Sequence, residues 1–238
     1  MSNIKLTIDG ARARIILSKP PLNVLGIKDL RELSSALKNL KTQENLKVIT
    51  IESDQKVFSA GADISEHTSE KVVEMLDAFH GVFFEMMELD IPTISLVKSG
   101  CIGGGCELAL FCDFVLAAEN AYFSQPEIKL GCFPPVSMVY FPYIVGNKKA
   151  LEMVLTGNKV FAAEAHGLGL INKVFAEDEF DEKAEKFIDS ILALSPDAIK
   201  TTLGTYKKLN YVDLKEKIKL SEKLYLEQID HDSIILKK

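Results

Sequence analysis

The residues best suited to chemistry lie between Cys101 and Glu127. Gly103-Gly104-Gly105 stands directly before Cys106 and Glu107, an apolar run Leu108–Phe111 follows, and then comes Ser124-Gln125-Pro126-Glu127. Consecutive glycines expose backbone N–H groups and let a ligand approach the main chain closely. Two carboxylates beside such a surface would do acid–base work on whatever the amides hold, so the combination points to an enzyme that polarises a carbonyl. Each signal alone has a plainer reading. Glu107 suits the first turn of a helix, where the macrodipole favours an acid by ~0.3–1 kcal/mol. Glu127 reads as a solvated loop charge after proline, and Gly103–Gly105 as a close packing contact. The order and combination carry the chemical reading.

The elements that position these residues follow a β/α rhythm. Ile4, Leu6 and Ile8 alternate with polar residues up to Asp9-Gly10, a hairpin signal, and Arg14–Leu17 answers as the second strand. Leu30, Leu33, Leu37 and Leu40 recur at helical spacing, which predicts an amphipathic helix over about 27–42. Val48-Ile49-Thr50-Ile51 suits a buried strand. Phe58-Ser59-Ala60-Gly61-Ala62-Asp63 then forms a small-residue loop at the strand's C-terminal side, where ligands of α/β sheets tend to bind. Val72, Leu76, Phe79, Phe83 and Met86 line one face of the next helix, which also carries His80, read as structural or surface rather than catalytic. Ile94-Ser95-Leu96-Val97 leads into the glycines, a helix runs from near Gly105 to Cys112, and Phe114-Val115-Leu116 is a further strand. Later come helices over Lys149–Thr156 and Ala162–Gly167, a short strand through Leu170–Val174, and helices over about 180–194, 196–209 and 212–229. Leu214, Ile218 and Leu224 stripe the last of these. No internal repeat is evident in the sequence. The expectation is an α/β core over residues 1–175 with a C-terminal helical region, 176–238, packed on it or on a neighbour.

Composition excludes several classes. The chain has 238 residues, 47% hydrophobic and 26% charged, which fits one large globular domain. A formal charge of −6, with Arg12, Arg14 and Arg31 the only arginines, argues against nucleic acid. Cys101, Cys106, Cys112 and Cys132 lack zinc-site spacing and read as small hydrophobes, so no metal is expected. No run approaches the ~18 apolar residues of a membrane span, and the N-terminus lacks the apolar core of a signal peptide. Cytoplasmic residence without a membrane partner is the default expectation.

Taken together, Phe58–Ile64, Gly103-Gly104-Gly105-Cys106-Glu107-Leu108-Ala109 and Gln125-Pro126-Glu127-Ile128 resemble the successive signatures of the crotonase, or enoyl-CoA hydratase, superfamily. Ala150–Gly157 and Gly169-Leu170-Ile171-Asn172 are similar to its later part, so the resemblance covers nearly the whole chain. It implies a spiral of ββα turns and a C-terminal helical oligomerisation region that builds trimers or hexamers. It also implies an acyl-CoA ligand, with CoA as part of the substrate and no separate cofactor. Ala60, Ala62, Asp63, Ile64 and Gly104 would then contact substrate, and the N–H groups of Ala62 and Gly104 would form the oxyanion hole. Glu107 and Glu127 would hold water between them: hydratases of the family have both carboxylates, whereas isomerases generally manage with the one matching Glu127. An isomerase, a thioester hydrolase and a non-catalytic acyl-CoA-binding protein are the alternatives on the same scaffold.

One segment departs from the family pattern. Gly131-Cys132-Phe133-Pro134-Pro135-Val136-Ser137-Met138-Val139-Tyr140 carries Ser137 and Met138 where glycines are expected. The Phe-Pro-Pro variant, with Pro20–Leu25 near the start, resembles the cyclic dienoyl-CoA hydratases of benzoyl-CoA degradation. Phe133, Pro135, Met138 and Tyr140 are the expected lining of the acyl pocket.

Overall fold

A computed structural model of the chain describes residues 2–231. Strands β1 (Ile4–Asp9) and β2 (Arg12–Leu17) form the expected hairpin, followed by β3 (Val24–Leu25) and helix α1 (Ile27–Leu40). Then come β4 (Val48–Ser53), β5 (Gly61–Ala62), α2 (Val72–Met87), β6 (Thr93–Val97), β7 (Gly100–Ile102) and α3 (Gly104–Phe111). The rest comprises β8 (Phe114–Ala118), β9 (Tyr122–Ser124), α4 (Pro135–Thr156), β10 (Val160–Phe161), α5 (Ala162–Gly167) and β11 (Lys173–Phe175). Three helices end the chain, α6 (Phe180–Leu192), α7 (Pro196–Asn210) and α8 (Leu214–His231).

The order encodes a ββα spiral: β2-β3-α1, β4-β5-α2, β6-β7-α3 and β8-β9-α4. The first strand of each turn joins a six-stranded sheet ordered β1-β2-β4-β6-β8-β11, parallel from β2 onward. The second strands pair as β3 with β5 and β7 with β9, both parallel, with β10 added antiparallel to β9. The large sheet is covered on both faces. Ile49, Ile51, Val115 and Ala117 face the helices of the spiral, while Val48, Ile94, Leu96 and Leu116 pack against Phe180, Ala184 and Ile188 of α6. Burial on both sides explains the unbroken apolar strands. The described C-terminal helices pack on their own chain. Arg12 donates to Glu185 of α6, and α8 lies against α4 and α2, where His80 Nδ1 sits 2.5 Å from Glu222 Oε2. The expected region 176–238 extends past the described residues.

Some local expectations are corrected. Leu6 and Ile8 are exposed, because only the start of the edge strand β1, at Ile4, packs into the core beside α1. The expected helix at Lys149 is the second half of α4, which bends at Gly146 (φ 74°, ψ 162°). The late strand starts at Lys173, since Leu170 and Ile171 pack into the core before it. On α8 the buried stripe is Leu214, Ile218, Ser221 and Tyr225, spaced for one helix face, and Leu224 is exposed.

Candidate active site

Parallel pairing brings the chemical residues together. Ile102 of β7 lies opposite Ser124 of β9, and Gly103 N–H donates to Ser124 O at 2.9 Å. Both strands therefore leave the sheet at one end, β7 into α3 with Glu107 in its first turn and β9 into a short 3-10 turn, Pro126–Leu130, carrying Glu127. The segment before β5 runs alongside: Phe58 N–H donates to Gly100 O and Ile102 N–H to Ser59 O. Asn23, buried with φ 49°, anchors that segment by donating from Nδ2 to Phe58 O (2.9 Å) and Ser53 Oγ (2.7 Å).

Glycine is required where these strands converge. Gly103 has φ 55°, and a side chain there would begin 2.7 Å from Glu127 Oε1. A Cβ at Gly105 would lie 2.4 Å from the Ser59 carbonyl oxygen, so only glycine lets α3 sit this close. The result juxtaposes two main-chain donors: a Cβ built on Gly104 falls 3.4 Å from Ala62 N, and one built on Gly61 falls 3.0 Å from Gly104 N. Gly104 opens α3, so its N–H has no partner within the helix. Asp63 N–H donates to Leu25 O, so Ala62 N–H, one residue earlier on the strand, turns away from β3.

A cavity of about 200 Å³ opens in front of these amides. Ala60, Ala62, Ile64, Gly104, Glu107 and Glu127 line it, with Phe79, Met75 and Leu76 of α2 on one side and Phe133, Pro134 and Pro135 on another. Tyr225 of α8 closes the far end, its ring 5.4 Å from that of Phe133 at 74°. Of the expected acyl lining, Phe133 and Pro135 are on the cavity and Met138 and Tyr140 are not. The expected turn is the start of helix α4, and a helix rotates its side chains by about 100° per residue. Met138 is exposed, while Tyr140 stacks at 4.6 Å on Phe111 and approaches Tyr211 on another side of the molecule. Asp63 also stays off the cavity; its carboxylate accepts from Ser65 N–H at 2.9 Å. Leu76 and Phe79 were legible only as part of a helical apolar face, and Met75 was not singled out. Nothing local marked Tyr225 or His67, another lining residue whose imidazole burial holds below its ordinary pKa.

The two glutamates differ in surroundings. Burial raises both, and Glu127 is raised further by the neighbouring charge of Glu107. Opposing this, the Glu107 carboxylate sits at the N-terminus of α4, where it accepts from Ser137 N–H at 2.6 Å and from Val136 N–H. A hydrogen bond to a charged group contributes about 1.5–3 kcal/mol, so the helix amides favour charge on Glu107 and leave the proton of the pair on Glu127. Two neighbouring carboxyls held at different proton affinities have the properties that a base and an acid would need. Among the described residues no cluster of His, Cys, Asp or Glu has the makings of a metal site, and all four cysteines are buried and unpaired. No described helix is long and apolar enough to cross a membrane.

The raised values carry a stability consequence. A carboxyl whose folded-state pKa is raised stabilises the fold when protonated, and that contribution is lost as pH climbs from the ordinary ~4.3 through the raised value. Glu127→Gln is therefore expected to raise Tm at alkaline pH, with the gain shrinking as pH falls toward ~4.3. Thermal melts of both proteins across pH check this; an equal difference at every pH would contradict it.

The ββα spiral with a cavity at its glycine-rich turn is the crotonase type of fold. A sequence profile of the enoyl-CoA hydratase/isomerase family matches residues 7–236. The chain is 30% identical over 228 residues to the cyclohexa-1,5-dienecarbonyl-CoA hydratase of Thauera aromatica, covering 95% of this chain and 88% of that protein. It is 36% identical over 187 residues to a probable enoyl-CoA hydratase of Mycobacterium leprae, covering 77% and 73%. The crystal structure of an enoyl-CoA hydratase from Mycobacterium avium subsp. paratuberculosis superposes with a TM-score of 0.92 at 24% identity, over 99% of this chain and 97% of that one. The chain is an enzyme of the enoyl-CoA hydratase/isomerase family.

Proposed function

We propose that the chain adds water across the double bond of an α,β-unsaturated acyl-CoA, with a conjugated cyclic dienoyl thioester as the preferred substrate. The observation that carries the reading is the pairing of two unequal carboxylates, Glu107 buried and Glu127 half-buried, with two main-chain N–H groups on one cavity. The thioester oxygen lies between Ala62 N–H and Gly104 N–H, which hold the negative charge it gains as water attacks. Glu107 accepts a proton from the water, the water oxygen bonds the β-carbon, and the π electrons move onto the thioester. The α-carbon then takes the proton of Glu127. Nothing beyond substrate and water is consumed, and no separate cofactor is needed.

The cyclic preference is supported by the cavity walls, where the rings of Phe79, Phe133 and Tyr225 suit a flat ring, and by the relative from Thauera aromatica. Assembly into a trimer or hexamer is part of the proposal. Leu194, Tyr206, Leu209, Leu220 and Leu224 leave apolar surface exposed on the C-terminal region. Residence in the cytoplasm and absence of a nucleic-acid partner remain part of the same reading.

The test presents cyclohexa-1,5-diene-1-carbonyl-CoA and crotonyl-CoA side by side, with products followed by mass. Gain of water on either supports hydration, and faster turnover of crotonyl-CoA would remove the cyclic preference. Phe133→Ala is expected to raise KM for the cyclic substrate more than for crotonyl-CoA, because an aromatic contact contributes about 0.5–1.5 kcal/mol beyond burial. Equal changes on both would argue that Phe133 only fills space.

A further inference from the structure

Glu107 and Glu127 are joined behind the cavity by two buried polar side chains. Ser137, whose N–H holds Glu107, points its Oγ at the Gln125 side-chain amide, 2.5 Å away. The other end of that amide lies 3.1 Å from each oxygen of Glu127. Neither Ser137 nor Gln125 has any solvent-exposed surface. The Ser137 hydroxyl lies on the Glu107 side of this chain, and its proximity favours charge on that carboxylate. Ser137 occupies one of the places where the family pattern led to an expectation of glycine, which has no hydroxyl.

We infer that Ser137 is a positioning residue which, through Gln125, couples the two glutamates so that the pair holds one proton over a wide pH range. With Glu107 ionised and Glu127 protonated, the Ser137 hydroxyl donates to Glu107, Gln125 N–H donates to Ser137 Oγ, and Glu127 O–H donates to the Gln125 oxygen. With the proton on Glu107 instead, all three bonds reverse after the amide turns over: Glu107 O–H to Ser137 Oγ, Ser137 O–H to the Gln125 oxygen, and Gln125 N–H to Glu127. Each singly protonated state thus has three hydrogen bonds, one of them to a charged carboxylate. With both glutamates ionised, only two bonds survive and lone pairs face each other at one end. With both protonated, all three bonds are between neutral groups and weaker.

This inference rests on the hydratase reading for its meaning. Hydration starts from ionised Glu107 and protonated Glu127, and ends with the proton of water on Glu107 and that of Glu127 on the α-carbon. The chain satisfies both the starting and the finishing state. Ser137 and Gln125 do not line the cavity and are given no contact with substrate.

The experiment has one arm that needs no turnover. Infrared titration of the buried protonated carboxyl band follows the pair in the wild type, Ser137→Ala, Ser137→Thr and Gln125→Met. Other titratable groups facing the pair are Cys106, Cys132, Tyr225 and His67; burial pushes the thiols and the phenol up and the imidazole down. All four groups are absent from the carboxyl band. Loss of the hydroxyl in Ser137→Ala should bring the two midpoints closer by roughly one pH unit, a tenfold change, with Ser137→Thr restoring the separation. The second arm is the pH profile of kcat on the best thioester, whose bell should narrow by the same amount with KM little changed. A separation unchanged in both Ser137→Ala and Gln125→Met, or a Ser137→Thr as narrow as Ser137→Ala, overturns the coupling. A wild-type protein that hydrates no thioester instead sinks the hydratase reading, while the infrared arm still decides the coupling. Should Ser137→Ala fail to fold, Gln125→Met reads the same separation.

Discussion

Glu107→Gln is expected to lower kcat for hydration by about 10²–10⁴-fold while leaving thioester binding nearly intact. The amide oxygen of glutamine still accepts from Val136 and Ser137 N–H, so the geometry at the start of α4 survives. What disappears is the proposed acceptor for the proton of water. Because the mutation removes an interaction made only as the water is deprotonated, kcat and kcat/KM should fall together. Steady-state kinetics with a parallel measurement of CoA-thioester binding separates this from a folding defect. Near-wild-type turnover of every accepted substrate would remove Glu107 from the chemistry. In the wild type the acid limb of the pH profile should lie above the ordinary glutamate value of ~4.3, since burial raises the carboxyl that must ionise.

The second large effect is expected from Gly61→Ala, which carries no charge and touches neither glutamate. A methyl at this position would lie 3.0 Å from Gly104 N and 3.1 Å from Ile102 O. Gly61 has φ 94°, so the alanine is also strained, by ~1–3 kcal/mol. Relief of the contact requires residue 61 and Gly104 to move apart, which carries the adjoining Ala62 N–H away from Gly104 N–H, the two groups proposed to hold the thioester oxygen. Losing one oxyanion donor costs ~2.7–4 kcal/mol of transition-state stabilisation, so kcat should drop by about 10²–10³-fold. The accompanying fall in Tm should correspond to no more than the backbone strain. A variant that melts lower but keeps its kcat would show that the amide pair does not bear on the reaction.

The parts of this protein visible in its sequence are those encoded over a few neighbouring residues. The glycines before Glu107, the small residues of Ala60–Ala62, and Pro126-Glu127 lie within short segments whose local spacing survives folding. Helix α1 was legible for the same reason, its four buried leucines repeating at helical intervals. The ββα repeat was hidden in the sequence because β3 and β5 have only two residues each and β7 and β9 only three, too few to show alternation. The resemblance to a known family supplied the spiral; periodicity did not.

The contents of the cavity were decided by tertiary structure. Tyr225 reaches it from almost a hundred residues beyond Glu127, because α8 folds back over α4 and α2. Met138 and Tyr140 lie close to Pro135 in sequence yet miss the cavity, since helix α4 turns them to other sides. The unequal character of Glu107 and Glu127 is likewise a property of the fold. Both are single glutamates in short local motifs, and only packing sets one against the amides of α4 and leaves the other with a neighbouring charge. By itself, the sequence determined which groups are present and which close approaches glycine permits. Which of two identical carboxylates holds the proton was decided by the tertiary structure, because solvation and distant donors, not residue type, govern that choice.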